Sequence, residues 1–365
     1  MEKYFNFLKF DNESNQQILQ LIAHIDNYKG KWNNTELIEN NYLKELRNIA
    51  TVASIGSSTR IEGATLTDKE IQNLLNDIKI TELKSRDEQE VVGYFEVLEL
   101  IYENYTDIRF SESYIKQLHQ LLLKYSKKDE RHRGKYKSLS NSVIATYPDG
   151  TQKIIFNTTV PALVESEMHA LVDWMNVAFT SKSIHPLLLI GLLIYEFLSI
   201  HPFQDGNGRL SRLLTTLFLL KNEYNFIQYI SFENHIEINK KEYYNALMNG
   251  QKNRGKKSEK IDQWLIYFLQ GIVKLTQKLD QKYEAYKSKG SYLSERQKQL
   301  KAFIEKKQPL KVSDIAKRFS TVPLPTLKKD LQYLRQEQQI EMIGQGKGRS
   351  PKADQGMWIK GDLRV

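Results

Sequence analysis

The feature that most constrains this chain is an apolar segment, residues 187–200, which contains a single charged residue, Glu196. The segment is shorter than the roughly 18 residues needed to span a bilayer, so it predicts a helix buried in the core of a folded domain. A second apolar pattern with helical character occupies residues 213–220. The chain between them, residues 201–212, is therefore predicted to turn between two core helices.

Residues 201–212 have the sequence His-Pro-Phe-Gln-Asp-Gly-Asn-Gly-Arg-Leu-Ser-Arg, which has the layout of an anion site. Gly206, Asn207 and Gly208 can bend so that successive backbone N–H groups converge. The helix that follows adds its own unpaired N–H groups and the positive end of its dipole. A short run of this kind is by itself typical of a turn. Only the whole combination predicts a phosphate-binding loop.

The side chains around this loop suit phosphoryl or nucleotidyl transfer. Asp205 is a hard oxygen ligand, and one carboxylate with phosphate oxygens is a common way to hold Mg²⁺. Arg209 and Arg212 are three apart, so on a helix they share a face from which they can grip phosphates. His201 titrates near neutral pH, which suits a general base, although a histidine after an apolar run is often a packed residue. Phe203 is interpreted as a core anchor that fixes the loop.

The same twelve residues resemble the core motif of the Fic (filamentation induced by cAMP) family, His-Pro-Phe-x-Asp/Glu-Gly-Asn-Gly-Arg-x-x-Arg, and every defined position is matched. The resemblance implies a mainly α fold, a Fic-type helical bundle with a β-hairpin flap. It also implies a protein adenylyltransferase that transfers AMP from ATP to a hydroxyl side chain of a target protein. In that activity ATP is the substrate, Mg²⁺ binds Asp205, and His201 is the catalytic base.

Residues 58–63, Ser-Thr-Arg-Ile-Glu-Gly, match the family's inhibitory motif, Ser/Thr-x-x-x-Glu-Gly/Asn. On a helix Ser58 and Glu62 are stacked four apart and Gly63 is a suitable C-terminal stop, features that are also ordinary at any helix end. A carboxylate paired with Arg212 would compete with the γ-phosphate of ATP. Misplacing the phosphates by about 1 Å can cost roughly a hundredfold in rate. Glu62 is therefore expected to be autoinhibitory.

One β-hairpin is predicted in the first 290 residues, with strands at residues 142–146 and 152–156 around the turn at residues 147–150. The edge of such a hairpin can recruit an extended segment of another protein as an added strand. It resembles the Fic flap, on which the target protein docks, although a simple connecting hairpin is the alternative. Just upstream, relatives often carry Arg where this chain has Lys137, which keeps the charge but lacks the planar fork.

Tyr243 and Tyr244 match tyrosines that lie near the adenine in the family, and aromatic faces stack on bases. Two aromatic residues in a helix are otherwise typical of a core. The full set of nucleotide-binding residues that the resemblance implies is Glu62, Val143, Ile144, Gly206, Asn207, Gly208, Arg209, Arg212, Tyr243 and Tyr244.

Other residue types narrow the possible sites and locations. The 365-residue chain has no cysteine, so it has no disulfide or thiolate metal site, which fits a reducing cytoplasm. No signal peptide and no membrane segment are predicted, and a cytoplasmic protein is expected. The family resemblance makes a homodimer plausible.

The remaining histidines lack a paired ligand spacing and are predicted to be packed or surface residues: His24, His119, His132, His169, His185 and His235.

Residues 291–365 carry 16 Lys and Arg against 8 Asp and Glu, so most of the chain's formal net charge of +9 lies there. Three helical patterns are followed by two predicted strands, residues 340–343 and 356–359. This order resembles a winged helix-turn-helix, and its basic residues could meet DNA phosphates. The rival hypothesis is therefore a DNA-binding transcriptional regulator with an ancillary Fic core, although winged helices also bind proteins. The basic residues are Lys328 and Lys329 on the recognition helix and Lys347, Arg349 and Lys352 on the wing.

The predicted domains are an N-terminal helical region at residues 1–110, a Fic core at 111–275, a helical linker at 276–290 and a winged helix at 291–365. Two alternatives remain within the catalytic site. The same residues can remove AMP from a modified target, with Glu62 positioning a water molecule. Transfer of phosphate or phosphocholine is also known in the family, but the intact glycine loop and both arginines favour AMP.

Overall fold

The computed structural model of the protein describes residues 4, 6–36, 41–77, 82–146, 152–256, 258–289, 293–307, 310–336, 339–343 and 358–361. The chain divides into two compact units, residues 1–279 and residues 280–365. The fold is mainly α, as the sequence predicts. The hairpin turn at residues 147–150, the side chain of Ile144 and the three basic wing residues Lys347, Arg349 and Lys352 lie outside what the structure describes.

The first unit is built from helices and one hairpin. None of the helices that the structure describes is long and apolar enough to cross a membrane. The elements are α1 (Asn12–Glu36), α2 (Asn41–Ile61), α3 (Asp68–Asn76), α4 (Arg86–Asn104), α5 (Glu112–Leu122), β1 (Ser142–Thr146), β2 (Gln152–Asn157), α6 (Pro161–Ser181), α7 (Pro186–Ile200), α8 (Asn207–Lys221), a 3-10 helix (Asn225–Tyr229), α9 (Phe232–Ile238), α10 (Lys240–Gln251) and α11 (Asp262–Lys289).

Capping residues explain where two helices near the site begin. The side chain of Thr67 accepts the N–H of Glu70, whose carboxylate reaches back to the N–H of Thr67, forming the capping box at the start of α3. Ser85 and Glu88 make the same arrangement at the start of α4. The helix start predicted at Thr67 is confirmed, and the second box fixes the helix that faces the motif loop.

Helix α7 is the buried core helix that its apolar sequence predicts. Every residue from 189 to 200 is buried, and the helix packs between α6 and α8. Trp264 of α11 donates its indole N–H to the carbonyl of Gly191 at 2.7 Å. A Cβ at Gly191 would lie 2.5 Å from Leu265 Cδ2, so this approach of α11 depends on glycine.

The single charge inside α7 has a partner from a distant part of the chain. The Glu196 carboxylate accepts from Arg254 Nη1 at 2.9 Å, and Arg254 Nη2 reaches Glu167 on α6 at 3.0 Å. Leaving either ion alone would be strongly destabilising because a buried unpaired charge loses its hydration without compensation. The segment after α10 is thereby fixed against the core.

The predicted hairpin is confirmed as the antiparallel pair β1–β2. Ser142 pairs with Asn157 and Val143 with Phe156, and the register shifts between Val143 and Ile144, so that Ile144 pairs with Ile154. Such an irregularity bends a strand and increases its local twist. The second strand extends one residue beyond the predicted end.

The described part of the second unit contains the end of α11, three further helices and a three-stranded antiparallel sheet, in which residues 358–361 pair with residues 310–311 on one side and with residues 340–343 on the other. Its apolar core includes Leu300, Ile304, Ile315, Leu327 and Leu334. The strand at residues 310–311 was not predicted from the sequence, because it has only two residues and therefore shows no alternating pattern. The elements are α12 (Glu295–Lys307), β3 (Leu310–Lys311), α13 (Val312–Arg318), α14 (Leu324–Gln336), β4 (Ile340–Ile343) and β5 (Trp358–Gly361).

Candidate active site

Helix α7 ends at His201, which adopts a left-handed backbone with φ 53° and ψ 60°. Positive φ is uncommon for a residue other than glycine, and such conformations cluster at functional sites. The N–H of His201 donates to the carbonyl of Phe197 at 2.9 Å. Its Nδ1 lies 3.3 Å from the carbonyl of Leu198, which favours a proton on Nδ1. The free Nε2 lone pair is then what a general base requires.

Electrostatics keep His201 neutral. Burial and then the positive charge of Lys137 lower the pKa of His201 to about 4, although the carbonyl of Leu198 and the carboxylates of Glu62 and Asp205 act in the opposite direction. At neutral pH the imidazole is therefore unprotonated and able to accept a proton.

Phe203 and Asn207 fix the conformation of the loop that follows His201. The N–H of Phe203 donates to Asn207 Oδ1 at 2.9 Å, and Asn207 Nδ2 donates back to the carbonyl of Phe203 at 2.8 Å. The Phe203 ring is fully buried, which confirms its interpretation as a core anchor. It stacks on the imidazole of His119 with 3.8 Å between ring centroids and 7° between planes.

His119 is packed, as predicted, but it also supports the motif loop. Its Nε2 lies 2.9 Å from the carbonyl of Asp205, and its Nδ1 accepts the N–H of Gly134 at 2.9 Å. The proton must then be on Nε2. Burial lowers the pKa of His119 to about 4, so the ring keeps this neutral form. No motif spacing revealed this role, because the partner lies far along the chain.

Gly206 precedes α8 with φ 80°, a backbone conformation that glycine adopts without strain. A Cβ at this position would lie 3.3 Å from His119 Nε2. Helix α8 begins at the next residue, and the first N–H groups of a helix have no partner within it. The backbone of Asn207 and Gly208 thus forms the helix N-terminus at which a phosphate is expected.

Asp205 is held by two arginines. Its Oδ1 lies 3.0 Å from Arg209 Nη2 and its Oδ2 lies 3.4 Å from Arg86 Nη2. Burial by itself raises the pKa of Asp205, but the charges of both arginines and the N–H of Gly206 hold it below the ordinary value. The carboxylate is ionised and partly exposed, which suits a ligand for Mg²⁺.

A metal bound at this point would depend on few protein groups. Among the residues that the structure describes, no group of three or more His, Cys, Asp or Glu side chains could enclose a metal ion. A single carboxylate completed by phosphate oxygens and water is the usual coordination of Mg²⁺ in nucleotide sites. Asp205 therefore fits Mg²⁺ that arrives with a nucleotide.

Arg209 lies behind the loop, with a side chain that is 1% exposed. Its Nη1 is 3.0 Å from Glu90 Oε2, and Glu90 Oε1 accepts from Arg86 Nε at 2.7 Å. The guanidinium predicted to grip a phosphate is thus engaged by two carboxylates, Glu90 and Asp205. Glu90 was not singled out from the sequence, since nothing near it in the chain marks it as an arginine partner.

Arg212 faces the end of α2. Its Nη2 donates to Glu62 Oε1 at 2.8 Å and to the carbonyl of Ser58 at 2.9 Å, and its Nε donates to Ser58 Oγ at 2.8 Å. Burial by itself raises the pKa of Glu62, but the charges of Arg212 and Arg209 lower it below the ordinary value. The structure therefore brings the two motifs together through an ion pair.

The Glu62 carboxylate lies directly over Gly208. A Cβ on Gly208 would come within 2.2 Å of Glu62 Oε1 and 3.2 Å of Arg212 Nη1. Because Gly208 has no side chain to fill this space, the carboxylate reaches the mouth of the glycine loop. Glu62, the glycine loop and Arg212 form one contiguous site.

Ser58 is itself supported by a buried pair that the sequence did not indicate. Tyr94 hydrogen-bonds Ser58 and donates to Glu233 Oε1 at 2.9 Å. Tyr94 is fully buried and Glu233 is 2% exposed. Burial raises the pKa of Tyr94 well above its ordinary value, so it remains a hydrogen-bond donor. The network holds the C-terminal end of α2 against α4 and α9.

The predicted adenine tyrosines lie in different environments. Tyr243 is buried, with edge-to-face contacts to Trp264 and Tyr267 at centroid distances of 5.7 and 6.1 Å. Tyr244 is half-buried and contacts Tyr243 at 5.3 Å. Burial raises the pKa of both hydroxyls, and the charges of Glu62 and Arg212 also act on them. Tyr244 is thus the more exposed of the two. Val143 is half-buried on β1.

Residues 109–219 match the model of the Fic/DOC family. Protein adenylyltransferase Fic from Drosophila willistoni is 30% identical over 189 residues, which cover 51% of this chain and 35% of that protein. The same-named protein from Nematostella vectensis is 29% identical over 199 residues, covering 50% of this chain and 43% of that protein. The match thus covers less than half the length of these curated relatives.

Solved structures show a similar fold. A Fic family protein from Desulfovibrio desulfuricans G20 aligns with a TM-score of 0.59 at 22% identity, covering 96% of this chain and 97% of that one. A Fic domain containing signaling protein from Bacteroides thetaiotaomicron VPI-5482 aligns with a TM-score of 0.55 at 23% identity, covering 76% and 99%. Fold, motif and family model agree over the catalytic region: residues 109–219 match the Fic/DOC family, and the fold is similar to that of solved Fic proteins.

Proposed function

We propose that this protein is an adenylyltransferase that transfers AMP from ATP to a hydroxyl side chain of a target protein. The observation that carries the proposal is a neutral His201 with a free Nε2, placed six residues before Asn207, where a helix begins whose N-terminus can bind phosphate. Relatives that share about half of this chain are named protein adenylyltransferases. The flap hairpin β1–β2 supplies an edge along which a target segment can dock.

In the proposed reaction, Nε2 of His201 takes the proton of the target hydroxyl as its oxygen attacks the α-phosphorus of ATP. The bond from the α-phosphorus to the oxygen that bridges to the β-phosphate breaks, and pyrophosphate leaves with that electron pair. Backbone N–H groups of Gly206, Asn207 and Gly208 stabilise the charge that develops on the α-phosphate. Mg²⁺ held by Asp205 would neutralise phosphate charge when bound.

We further propose that Glu62 inhibits the transfer. Its carboxylate pairs with Arg212 at 2.8 Å, at the guanidinium that the γ-phosphate would need. The Glu62 side chain is 34% exposed whereas Arg212 is 3% exposed, so Glu62 is the partner that can leave. ATP that binds while Glu62 remains has its phosphates out of line for attack, which lowers the rate without closing the site.

Label transfer from α-³²P-ATP with Mg²⁺ tests the proposal, with self-modification as the readout. Label should be weak in the wild type, strong with Glu62→Gly and absent with His201→Ala. Glu62→Gln is the matched control: it keeps the shape of the side chain without its charge, so activation by this variant assigns the inhibition to the ion pair. Absence of label in every protein, with γ-labelled ATP equally silent, would argue against adenylyl transfer.

Removal of AMP from a modified target is the second candidate for the same site. It is favoured by one observation: the Glu62 carboxylate is ionised, partly exposed and close enough to raise the pKa of His201. A carboxylate in that position can orient a water molecule toward the phosphorus. Wild-type protein should then release AMP from a target labelled by Glu62→Gly, and Glu62→Gln should not.

We propose that the second unit is a winged helix that binds DNA. Its order of elements, helix, strand, two helices and two strands, supports this, with Lys328 and Lys329 exposed on α14 as the candidate recognition helix. Contacts of lysine with phosphate weaken steeply with salt. Binding to duplex DNA should therefore fall across a salt series, and Lys328→Ala with Lys329→Ala should reduce its slope. A unit that docks proteins would bind little DNA even at low salt.

A further inference from the structure

Lys137 lies in the segment just before the flap and is 4% exposed, although it is a lysine. Its ammonium makes three hydrogen bonds, to Thr158 Oγ1 at 2.7 Å, to Asn141 Oδ1 at 2.8 Å and to the carbonyl of Ile200 at 3.3 Å. All three partners are neutral oxygens. A buried ammonium has three donors, and here each is used.

None of the three partners can donate a hydrogen bond to the lysine nitrogen. The Thr158 hydroxyl proton is committed to Asn141, whose carbonyl and Oδ1 lie 2.8 and 2.7 Å away. Each partner must therefore accept from Lys137. A neutral amine has only two N–H groups and a lone pair, so it would turn that lone pair toward one acceptor. Only the charged form satisfies the arrangement.

The three bonds join the two ends of the flap to the end of α7. Asn141 immediately precedes β1 and Thr158 immediately follows β2, so both feet of the flap are bound. Ile200 supplies the last carbonyl of α7, directly before His201. The backbone N–H of Lys137 also donates to the carbonyl of Pro202 at 2.8 Å.

Asn141 adds a further bond from the flap to the motif, because its Nδ2 donates to the carbonyl of Phe203 at 3.0 Å. The flap is thus attached to residues on both sides of His201, and the ammonium lies at the centre of the attachment.

Two charged or titratable groups act on this ammonium. Glu167 of α6 favours the charged form, but it is itself engaged by Arg254 and by the Thr159 hydroxyl at 2.9 Å. The second group is His201, whose pKa is lowered by the charge of Lys137. Burial lowers the pKa of Lys137 to about 8, while the carbonyl end of α7 is a favourable place for a cation.

We propose that Lys137 is a positioning residue for adenylyl transfer, whose ammonium ties both feet of the flap to the carbonyl that precedes His201. In this way the strand that presents the target hydroxyl is held in register with the base that deprotonates it. The inference rests on the proposed function, but the structural link can be tested without it.

The charge requirement gives a specific pH dependence. As the pH rises through about 8, Lys137 loses its proton, one of the three bonds fails and the attachment of the flap to the motif weakens. Lys137→Met should imitate the neutral state at every pH. Lys137→Arg stays charged at every pH in use and should therefore keep the attachment in alkaline solution. Lys135→Met removes an exposed lysine two residues away and is the matched control.

Hydrogen exchange of the flap segment, residues 142–157, tests the link without any reaction. At pH 7, Lys137→Met should exchange at least tenfold faster than wild type and Lys135→Met should match wild type. At pH 9, wild type should exchange faster than Lys137→Arg, a comparison at one pH that removes the intrinsic effect of pH on exchange. Equal exchange of wild type, Lys137→Met and Lys137→Arg at both pH values would overturn the proposal.

Transfer assays in the Glu62→Gly background then test the positioning role. Lys137→Met should lower the rate of transfer roughly ten- to a hundredfold, the scale of effect that a displaced reacting group produces, while the Kd of ATP stays within twofold of the parent. Lys137→Arg should retain activity at pH 9 where the Lys137 parent loses it. If Lys137→Met increased hydrogen exchange of the flap but left the rate of transfer unchanged, the positioning role would be overturned. If no protein, including the parent, transfers AMP, the proposed function fails while the exchange result still decides the link.

Discussion

The two arginines of the motif differ in how firmly their carboxylates are held. Glu90, the partner of Arg209, has a side chain that is 6% exposed, whereas Glu62, the partner of Arg212, is 34% exposed. A carboxylate buried with its arginine cannot be replaced by a phosphate without breaking a desolvated ion pair. An exposed one can leave into water at little cost. We therefore propose that Arg209 stabilises the structure of the loop and that Arg212 exchanges its carboxylate for a ligand.

This difference predicts the effect of removing Arg209. Arg209→Met leaves Glu90 and Asp205 with the more exposed Arg86 but without the buried cation that they share, and we expect the free energy of unfolding to fall by roughly 3–5 kcal/mol. Urea unfolding measures the change. Lys298→Met, which breaks an exposed pair with Glu295, should cost less than about 1 kcal/mol. An equally small effect of Arg209→Met would show that the buried ion pairs do not hold the loop.

At the scale of elements, the last turn of α2 is clamped by its neighbours. Arg60 Nε and Nη2 donate to the two carboxylate oxygens of Glu237 on α9 at 2.7 and 3.2 Å, and its Nη1 donates to Asp68 at 2.9 Å. Lys240 of α10 donates to the carbonyl of Ile61 at 2.9 Å, next to Glu62. The Glu62 carboxylate is therefore positioned by α9 and α10 as well as by Arg212.

Weakening this clamp should release activity. Glu237→Gln loses the charge of the bidentate pair, and because the pair is partly exposed we expect a two- to tenfold rise in label transfer, corresponding to about 0.5–1.5 kcal/mol. The rise should vanish in a Glu62→Gly background, where no inhibition remains to be relieved. Glu242→Gln, an exposed substitution on α10, serves as the control. If Glu237→Gln still increased label transfer in the Glu62→Gly background, its effect could not operate through Glu62.

At the scale of the whole molecule, buried neutral histidines make stability depend on pH. Burial lowers the pKa of both His119 and His235 to about 4. As the pH falls from about 6.5 toward 4, the unfolded chain gains protons at these residues that the folded protein does not. The free energy of unfolding therefore falls with pH in this window, on the order of 3 kcal/mol for His119 alone.

Urea unfolding at pH 7.5 and pH 4.5 measures this loss of stability. His119→Phe keeps a ring against Phe203 but cannot titrate, so its free energy of unfolding should change less between the two pH values than that of the wild type. His169→Phe, at a side chain that is 68% exposed, should leave the difference unchanged. A pH dependence unaffected by His119→Phe would assign the titration to other groups.

Local signals predicted much of this structure. The apolar run gave helix α7, the Pro148 turn with flanking β-branched residues gave the hairpin, and the Thr67 cap gave the start of α3. The residues that complete the site were missed for one physical reason. His119, Glu90 and Glu233 act through contacts with distant parts of the chain, and neither periodicity nor spacing records such contacts. The buried state of Arg209 was missed likewise, because a motif states which residues are present and not how deep they lie.

The Glu62 carboxylate occupies the space in which any residue other than glycine at position 208 would have its Cβ. The residue types tolerated at these two positions, which are far apart in the sequence, therefore depend on each other. A lineage that acquired a side chain at position 208 would push the carboxylate aside, since it is the flexible end of its residue that meets the new Cβ. Selection could then no longer act on Glu62 through its pairing with Arg212. Among homologous sequences, a residue larger than glycine at 208 should therefore accompany the loss of glutamate at 62, so that the two sites co-vary.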